Sequence, residues 1–434
     1  MLKILTQNYL TGMQFIKALN KIKISAYAVC LCLVLLNISL HASAIYVGPN
    51  HPIKTIKEGL QNVRPGDSLI VDGGHYSEGN LIIQQTMVFT GINHPVLDGK
   101  SQFEILTISG KNIVVSGITF INCGKSVTKD FASIKCIDAE NIRIENNKIE
   151  NSYFGIHISN TSQIHIKNNW IAGQAESEQT SGNGIHLWKC NHALIENNHI
   201  SGHRDGIYFE FVTESSILHN YSTENVRYGL HFMFSHKDYY ANNTFIKNGA
   251  GVAVMYSHEV TMESNHFENN WGASSYGILL KDISDSWIFG NTFDQNTIGI
   301  HMEGSSRMVI EKNRFKENGW ALKVQASCND IQFQHNNFIG NTFDVATNGS
   351  NVLSRFSQNY WDKYEGYDRT KDGFGDIPYH PVSMYSMIVE QNPNALILLR
   401  SILIATLDKA EKAIPSLTPE NLVDFQPKII PNKL

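Results

Sequence analysis

The feature that most constrains this chain is a short pattern that recurs every 22 to 24 residues through its middle, apart from two intervals of 29 and 26. In each copy, alternating apolar residues lead to an asparagine, and in most copies an apolar residue follows two positions later. A period of this size is typical of a solenoid, in which each repeat packs on its neighbours. The asparagines that mark the pattern are Asn147, Asn169, Asn198, Asn220, Asn243, Asn265, Asn291, Asn313 and Asn337.

The local composition decides which kind of solenoid this is. Alternation with a period of two predicts strands, and the asparagine and glycine residues between the strands predict tight corners. Asparagine, glycine, β-branched and aromatic residues dominate the repeats, which disfavours helices. The sequence therefore predicts an all-β parallel β-helix whose coils stack at about 4.8 Å. We expect the recurring asparagines to be structural, with each side chain bonding the backbone of the next coil.

Four segments are predicted along the chain. Residues 1–44 have the form of a signal peptide, because lysines precede an apolar run that ends at Ala42-Ser43-Ala44, and Met13 is an alternative start. We expect residues 45–110 to hold an N-terminal cap and the first coils, and residues 111–350 the repeats. Residues 351–434 are expected to hold a C-terminal cap, an apolar helix and an extended tail. The apolar spacing over Ile53–Val63 predicts a helix that caps the first coil.

Charge and cysteine content exclude some functions. The first 44 residues contain four lysines and no acidic residue, so the mature chain carries 31 basic and 40 acidic side chains. This acidic balance argues against a nucleic-acid partner. Four cysteines remain after cleavage, and no CxxC motif is present. We therefore expect a secreted protein without a zinc or redox cysteine motif.

A second repeated element sets the register of one strand in each coil. In seven coils this strand opens with a glycine followed by an apolar residue, so the residue after the glycine is expected to point inward and the next one outward. The two longer intervals place their extra residues just before this strand, at 175–182 and 272–275, where we expect loops. The opening glycines are Gly155, Gly184, Gly206, Gly229, Gly251, Gly277 and Gly299.

The outward positions of two adjacent coils contain an unusual group of side chains. In residues 229–236, GLHFMFSH, the register predicts that Leu230, Phe232 and Phe234 are core residues. It predicts a solvent-facing methionine pair flanked by histidines, within a patch about 10 Å across. The members of this predicted site are His231, Met233, His236, Met255 and His258.

The chemistry of these side chains points to copper. Thioether sulphur is a soft ligand that selects Cu(I), and imidazole suits copper and zinc alike, whereas zinc prefers thiolate, histidine and carboxylate. Met262 and His266, around the next corner, are weaker candidates. An interface with a protein partner is an equally open interpretation, because exposed methionine and aromatic residues are also enriched there.

Catalysis is a weaker interpretation. Parallel β-helices often process acidic polysaccharides, a reaction that needs two or three converging carboxylates. Here the outward carboxylates of the glycine-led strand, Glu210 and Glu303, are predicted to lie about 19 Å apart, at about 4.8 Å per coil. We therefore expect no enzymatic activity. Non-catalytic carbohydrate binding and polysaccharide lyase or hydrolase activity remain the alternatives.

The repeats fade after Asn341. Asp368, Asp372 and Asp376, with two glycines between them, resemble a degenerate calcium loop, and a turn-rich cap is the alternative interpretation. Residues Ala395–Leu407 are predicted to form an apolar helix, too short to cross a bilayer, that packs on the solenoid or docks on a membrane partner. The proline-containing tail from Ile414 onward is expected to be extended.

The segment from 203 to 286, which includes HRDGIYFEF, GLHFMFSH and GVAVMYSHEVTM, resembles the periplasmic NosD family of nitrous oxide reductase maturation proteins. The likeness extends to the closing NYWD and GFGDIPY motifs and to the LLRS sequence. It implies a right-handed β-helix that associates with the membrane through an ABC transporter permease and its ATPase. It further implies that the protein receives copper from a lipoprotein chaperone and helps to assemble the copper–sulphur centre of nitrous oxide reductase. Transient Cu(I) would then be its cargo.

Overall fold

The computed structural model describes residues 42–126, 129–349, 353–413 and 422–434. The predicted signal peptide, residues 1–44, lies almost entirely outside this range, so its cleavage stays a prediction. From Ala44 onward the described residues form one unit.

This unit is a parallel β-helix, as the repeat predicts. Its strands form three long parallel sheets, which we name A, B and C in the order in which each coil enters them. The strands of sheet A are Ala44–Val47, Ser68–Val71, Met87–Gly91, Lys111–Ser116, Glu140–Glu145, Ser162–Lys167, Asn191–Glu196, Ser216–Leu218, Tyr239–Ala241, Thr261–Glu263, Ser284–Phe289, Ser306–Glu311, Asn329–Gln334 and Leu353–Ser357. The strands of sheet B are His75–Tyr76, Val96–Asp98, Thr119–Ile121, Lys148–Glu150, Trp170–Ala172, His199–Ser201, Tyr221–Thr223, Thr244–Ile246, His266–Glu268, Thr292–Asp294, Arg314–Lys316, Asn337–Ile339 and Tyr360–Trp361. The strands of sheet C, which contains the glycine-led strands, are Leu81–Ile83, Leu106–Ile108, Ala132–Ile137, Phe154–Ser159, Ile185–Trp188, Asp205–Glu210, Tyr228–Met233, Ala250–Met255, Ile278–Lys281, Ile298–Glu303, Trp320–Val324 and Phe343–Ala346.

The core is a column of apolar side chains that all three sheets enclose. Alternate residues of most strands are buried, so each coil adds a layer of mainly isoleucine, leucine, valine or phenylalanine side chains. In sheet B the inward rings stack from coil to coil with nearly parallel planes and centroids 4.0 to 5.4 Å apart. The stacked rings belong to Phe245, Phe267, Phe293, Phe315, Phe338 and Trp361.

The asparagine ladder is present at the corner between sheets A and B. At a typical rung, the backbone N and the Nδ2 of Asn243 both donate to Oδ1 of Asn265, each at 3.0 Å. Nδ2 also donates to the carbonyl oxygen of Ile217 at 2.8 Å, in the preceding coil. One predicted member is wrong, because the ladder passes through Asn336 and not Asn337. Asn337 begins a sheet B strand and bonds Asn432 of the C-terminal tail instead.

A second buried asparagine ladder, which the repeat pattern did not single out, follows five residues later in the six coils from Asn225 to Asn341. The backbone N of Asn248 donates to Oδ1 of Asn270 at 3.0 Å, and the same bond recurs between successive members. Two corners of the coil are therefore fixed by side-chain amides. The members are Asn225, Asn248, Asn270, Asn296, Asn318 and Asn341.

The N-terminal end is closed by a short helix. Helix α1 spans Ile56–Asn62, so the predicted helix is confirmed with a start three residues later. The Thr55 side chain caps it by accepting a hydrogen bond from the backbone N of Glu58. Ile56 and Gly59 are buried against the first coils. A Cβ on Gly59 would lie 2.6 Å from a methyl of Val47, which explains why the helix contains a glycine at its contact with sheet A.

The C-terminal end is longer than the repeats indicate. One more coil follows Asn341, and its corner carries Asn359 as a further rung of the first ladder. Asp424 of the tail then closes the ladder, because its Oδ2 accepts from N and Nδ2 of Asn359, each at 3.1 Å. The same oxygen accepts from Nε1 of Trp361 at 3.1 Å. Of the predicted extended tail, residues 414–421 lie outside the described range, and residues 422–434 run along the last coil.

The predicted helix over Ala395–Leu407 is wrong in its continuity. Helix α2 spans Met384–Gln391, a 3₁₀ helix spans Pro393–Leu398, and helix α3 spans Ile402–Ala413. The break falls at Arg400, which has a left-handed backbone with φ of 64°. Ile404 of α3 packs in one cluster with Phe343 of the last sheet C strand and Tyr385 of α2. No helix among the described residues has the length and apolarity to cross a membrane.

We expect Asp424→Ala to lower the free energy of unfolding by about 3 kcal/mol, because three buried donors lose their acceptor. Urea unfolding followed by circular dichroism measures this change. Asp424→Asn is the matched control, since it keeps an acceptor oxygen toward Asn359 and Trp361. Equal loss of stability in the two variants would contradict the capping role of this oxygen.

Candidate functional site

The candidate site lies on two adjacent strands of sheet C and on the turns that follow them. Tyr228–Met233 pairs with Ala250–Met255 in parallel, and the register places Met233 opposite Met255. Leu230 and Phe232 are fully buried, as predicted from the alternation. A glycine opens these strands because a Cβ on Gly229 would lie 2.7 Å from the carbonyl oxygen of Gly251 in the next coil.

The methionine pair is less exposed than the predicted solvent-facing pair. Both side chains are only partly accessible. The hydroxyl of Tyr208, in the preceding coil, approaches Sδ of Met233 at 3.5 Å. In the register, Glu210 precedes Met233 and Lys281 follows Met255, so charged residues flank the two thioethers. The structure therefore gives a soft sulphur pair bordered by a phenol and two charges.

His231 occupies the predicted face of the strand but not a solvent-facing position. It is 1 % exposed, because the rings of Tyr208 and Tyr228 pack on it with centroid distances of 4.8 Å. Its Nδ1 lies 3.5 Å from Oδ2 of the buried Asp205. Burial lowers the pKa of His231, and Asp205 opposes this shift. His231 is thus a neutral, enclosed side chain at neutral pH.

The same face of sheet C carries a continuous stack of rings in the preceding coils. His157, His186, Tyr208 and His231 follow one another at centroid distances of 4.7 to 4.8 Å. Burial lowers the pKa of His157 to about 4 and that of His186 well below its usual value. These outward histidines, which the sequence places on the surface face, are therefore covered and uncharged.

His236 and His258 stack on each other in the turn after the methionine strands, with ring centroids 3.9 Å apart. Nδ1 of His236 accepts a hydrogen bond from the backbone N of His258, which places the proton of neutral His236 on Nε2. Nδ1 of His258 lies 3.0 Å from the Glu259 carboxylate. When this Nδ1 donates to the carboxylate, Nε2 keeps a free lone pair, an arrangement typical of metal-binding histidines.

Three aromatic side chains form an exposed ladder at the turn directly after the strands, and we call this the aromatic turn. Phe211, Phe234 and Tyr256 are 44 %, 36 % and 38 % exposed and stack at 5.3 and 5.0 Å. The prediction that Phe234 is a core residue is wrong. The strand ends at Met233, and Phe234 has a left-handed backbone with φ of 49°, which turns its ring outward.

The backbone of the aromatic turn is unusual for its residue type. The equivalent position in neighbouring coils carries Lys189, Asp282 and Gly304, and all of these also have positive φ. The turn therefore imposes the left-handed conformation in the eight successive coils from Asp138 to Gly304. Aspartate and glycine tolerate it better than a bulky ring, for which it costs on the order of 1 to 3 kcal/mol. The signal that finds this feature in the sequence is an aromatic residue five positions after the opening glycine.

Two weaker candidates do not join the site. Met262 is fully buried in the core of sheet A, so its prediction as a ligand is wrong. His266 lies on sheet B and pairs with Glu268, with Nε2 at 2.9 Å from the carboxylate. Among the described residues, no group of three His, Cys, Asp or Glu side chains is arranged to hold a metal.

The structure also locates the carboxylates that the sequence suggested for catalysis or for calcium binding. Glu210 and Glu303 are four coils apart in sheet C. Asp368 accepts hydrogen bonds from the backbone N atoms of Asp372 and Gly373 within its own loop. These bonds contribute to a lowered pKa of Asp368 and match a structural turn.

In comparisons with known proteins, the candidate site falls inside the part of the chain that matches a family model. The model described as "Periplasmic copper-binding protein (NosD)" matches residues 173–368, which include all five predicted site residues. The chain is 30% identical over 378 residues to the "Probable ABC transporter binding protein NosD" of Stutzerimonas stutzeri, with 82% of this chain and 85% of that protein covered. It is 29% identical over 377 residues to the protein of the same name from Pseudomonas aeruginosa, with 82% and 86% covered.

Solved structures with the same fold have unrelated sequences. The catalytic domain of a family 87 alpha-1,3-glucanase matches with a TM-score of 0.59 at 12% identity, over 74% of this chain and 69% of that one. The family 28 exopolygalacturonase of Yersinia enterocolitica matches with 0.56 at 12%, over 70% and 74%. The Streptococcus pneumoniae adhesin PfbA also matches with 0.56 at 12%, over 70% and 97%. These likenesses show the β-helix fold alone.

The buried histidine stack predicts a loss of stability in acid. The pKa of folded His157 is about 4, whereas unfolded histidine titrates near 6.5, so its contribution is present above pH 6.5 and lost as the pH falls toward 4. We expect protonation linked to this residue alone to lower the free energy of unfolding by about 2 kcal/mol between pH 7 and pH 5. Urea unfolding at pH 7 and pH 5 measures this change. Between these pH values, the free energy of unfolding of His157→Gln should fall by about 2 kcal/mol less than that of the unsubstituted protein.

The matched control for this experiment is His219→Asn. His219 is exposed and has a left-handed backbone that asparagine tolerates. This variant should show the same pH dependence as the unsubstituted protein. An unchanged pH dependence in His157→Gln would contradict a neutral, buried His157.

Proposed function

The chain belongs to the NosD family of periplasmic copper-binding proteins, and from this premise we propose that it is a periplasmic maturation factor for nitrous oxide reductase. In this proposal it handles Cu(I) transiently on the outer face of the β-helix and contributes to assembly of the copper–sulphur centre. The family description supports copper as the cargo. The name of the Stutzerimonas stutzeri and Pseudomonas aeruginosa relatives, which describes binding proteins of an ABC transporter, supports a non-enzymatic role beside such a transporter.

The observation that carries the copper proposal is the register pairing of Met233 with Met255. Equivalent residues of neighbouring coils lie about 4.8 Å apart, so two flexible thioethers can reach one ion between them. Thioether sulphur is soft and favours Cu(I) over the harder divalent ions. The phenol of Tyr208 and the carboxylate of Glu210 would lie beside the bound ion. These polar groups would assist the transfer of Cu(I) to a partner protein.

A third donor is proposed from the histidine stack. His258 has Nδ1 against the Glu259 carboxylate, which leaves Nε2 available to a metal. His236 accepts a hydrogen bond at Nδ1 and must change its tautomer before Nε2 can bind. We therefore assign His258 as the imidazole ligand and His236 as the ring that positions it. His231 is enclosed, so its role in this proposal is to support the strand beneath Met233.

The aromatic turn supports a docking role for the same surface. Phe234 and Tyr256 follow directly after the strands of the methionine pair, and Phe211 follows the strand of the preceding coil. All three occupy a backbone conformation that is unfavourable for their type. A copper donor or acceptor protein that covers these rings would exclude water from the thioethers during transfer. The copper chaperone lipoprotein and nitrous oxide reductase are the partners that we propose for this surface.

We expect the double variant Met233→Leu, Met255→Leu to fold normally but to bind Cu(I) at least tenfold more weakly, because leucine keeps the volume and removes both sulphurs. Competition with a chromophoric Cu(I) chelator under anaerobic conditions measures the affinity. Met384→Leu, Met387→Leu is the matched control, since it removes two partly exposed methionines from α2.

Two results separate the interpretations of this site. Equal Cu(I) affinity in the methionine variant and its control would exclude the metal assignment. If Phe234→Asn alone abolishes binding of the chaperone while Cu(I) affinity is unchanged, the aromatic turn acts in docking. If the methionine variant loses partner binding but no copper affinity, the whole surface is a protein interface without a metal site.

The C-terminal segment supports the proposed contact with the permease. Ile397 of the 3₁₀ helix and Ile402 of α3 are 89 % and 87 % exposed, and Leu403 is 57 % exposed. The opposite side of α3 packs on the end of the solenoid through Ile404. An exposed apolar patch of this kind typically marks a protein or membrane contact. We propose that it seats the β-helix on the membrane-embedded permease of the transporter.

We expect Ile397→Ser, Ile402→Ser to weaken binding to the detergent-solubilised permease–ATPase complex at least tenfold, because the apolar surface of the contact is lost. Biolayer interferometry with the immobilised transporter measures this affinity. Ile82→Ser, Leu353→Ser is the matched control, since it removes two exposed apolar residues from the solenoid at 54 % and 70 % exposure. Unchanged binding in the first variant would contradict the proposed contact.

A further inference from the structure

A second exposed ring stack lies on sheet B, away from the methionine pair. The register aligns Trp170, His199 and Tyr221 in three successive coils. The rings of Trp170 and His199 are parallel within 3° at 3.8 Å, and those of His199 and Tyr221 are parallel within 12° at 4.9 Å. Trp170 is the last ring of this stack, so His199 covers only one of its faces. The residue remains 47 % exposed.

The open face of Trp170 results from the residue in the preceding coil. Lys148 occupies the next position of the column, but its Nζ pairs with Glu150 at 2.8 Å, two residues along the strand. The ring stack therefore ends at Trp170. The space on this side is a cleft of about 490 Å³, which Trp170 lines together with Lys148 and Thr119.

The polar lining of this cleft defines what it can bind. Asn146 and Asn168 line it at the corner between sheets A and B, and His94 lines it from the turn of an earlier coil. Oδ1 of Asn146 accepts from Nδ2 of Asn168 at 3.2 Å. Among the described residues that line the cleft there is no carboxylate. A flat aromatic face, surrounded by neutral amide and hydroxyl groups, therefore lies next to one lysine and one histidine.

We propose that this cleft is a saccharide-binding subsite in which one pyranose ring of a glycan stacks on Trp170. The C–H face of a pyranose is apolar and fits a tryptophan face, while its hydroxyl groups project around the edge. Thr119, Asn146 and Asn168 offer the neutral hydrogen-bonding groups that such an edge requires. Lys148 and His94 disfavour a cationic ligand and admit a neutral or anionic sugar.

The subsite is assigned to binding and not to cleavage. Glycoside hydrolysis requires a pair of carboxylates on either side of the scissile bond, about 5 to 10 Å apart. The cleft has no carboxylate in its lining, and the nearby Glu150 is held by Lys148. The bound glycan is therefore an anchoring ligand. This assignment is independent of the proposed copper role, because sheet B does not carry the methionine pair.

The experiment uses the mature protein and three tetrasaccharides in isothermal titration calorimetry. Chitotetraose carries N-acetyl groups, tetragalacturonate carries carboxylates, and cellotetraose carries only hydroxyl groups. We expect at least one of them to bind, and Trp170→Ala to weaken that binding at least tenfold. Trp170→Phe should weaken it less, because a smaller aromatic face remains. The preferred sugar identifies the substituent that the lysine and the amides recognise.

Trp271→Ala and Trp287→Ala are the controls, since these side chains are 65 % and 51 % exposed outside the cleft. Both should bind as the unsubstituted protein does. Circular dichroism and a thermal melt of each variant establish that it is folded. Failure of all three sugars to bind, or binding that Trp170→Ala leaves unchanged while a control weakens it, would overturn the proposal.

Discussion

The hydrogen bonds of the first asparagine ladder are the interaction on which the rest of this structure depends. Each rung satisfies a backbone N–H and a side-chain amide with the oxygen of the next rung, in the absence of solvent. A buried donor without a partner costs about 1 to 3 kcal/mol, so a coil cannot slip by one residue without losing several bonds. Because the corner is fixed, residues 22 positions apart are brought opposite each other. The pairing of Met233 with Met255 is a consequence of this register.

The fixed turns also explain how the surface can carry an unfavourable feature. Eight successive coils, from Asp138 to Gly304, turn after sheet C through a residue with positive φ, whatever its type. Most coils place a polar residue or a glycine there, whereas three consecutive coils place Phe211, Phe234 and Tyr256. The asparagine ladders fix the path of the coil, so the turn keeps its backbone conformation even when an aromatic residue occupies it. The scaffold can therefore maintain a strained aromatic surface beside the methionine pair, as functional sites often do.

Much of the fold could be predicted from the sequence because buried hydrogen bonds must repeat wherever the coil repeats. Prediction failed where one residue decides the face of a strand. At Asn336 and Asn337, two adjacent asparagines fit the pattern, and only the chain path selects Asn336 for the ladder. At Phe234 the alternation stops, because the strand ends one residue earlier. The cap by Asp424 joins residues that are 65 positions apart, for which local patterns carry no signal.

The sequence predicts which residues of the candidate site are aligned in neighbouring coils, but not which side chains surround each of them. The sequence places Met233, Met255, His236 and His258 in matching positions of two coils. It does not indicate that Tyr208 and Tyr228 cover His231, because this cover depends on ring stacking between coils. Nor does it distinguish the two stacked histidines. Their different hydrogen bonds, to a backbone N–H and to a carboxylate, follow from the turn geometry alone.

The cysteines provide a final argument about how copper would be held. Within the described part of the chain, Cys123, Cys136, Cys190 and Cys328 are free and buried. Burial raises the pKa of Cys123 to about 12 and that of Cys190 to about 11, so these thiols are protonated at neutral pH. Thiolates bind Cu(I) more tightly than thioethers do, and here they are withheld from the surface. The proposed site of two methionines and one histidine would be weaker and more readily exchanged, which suits the proposed transient handling of Cu(I).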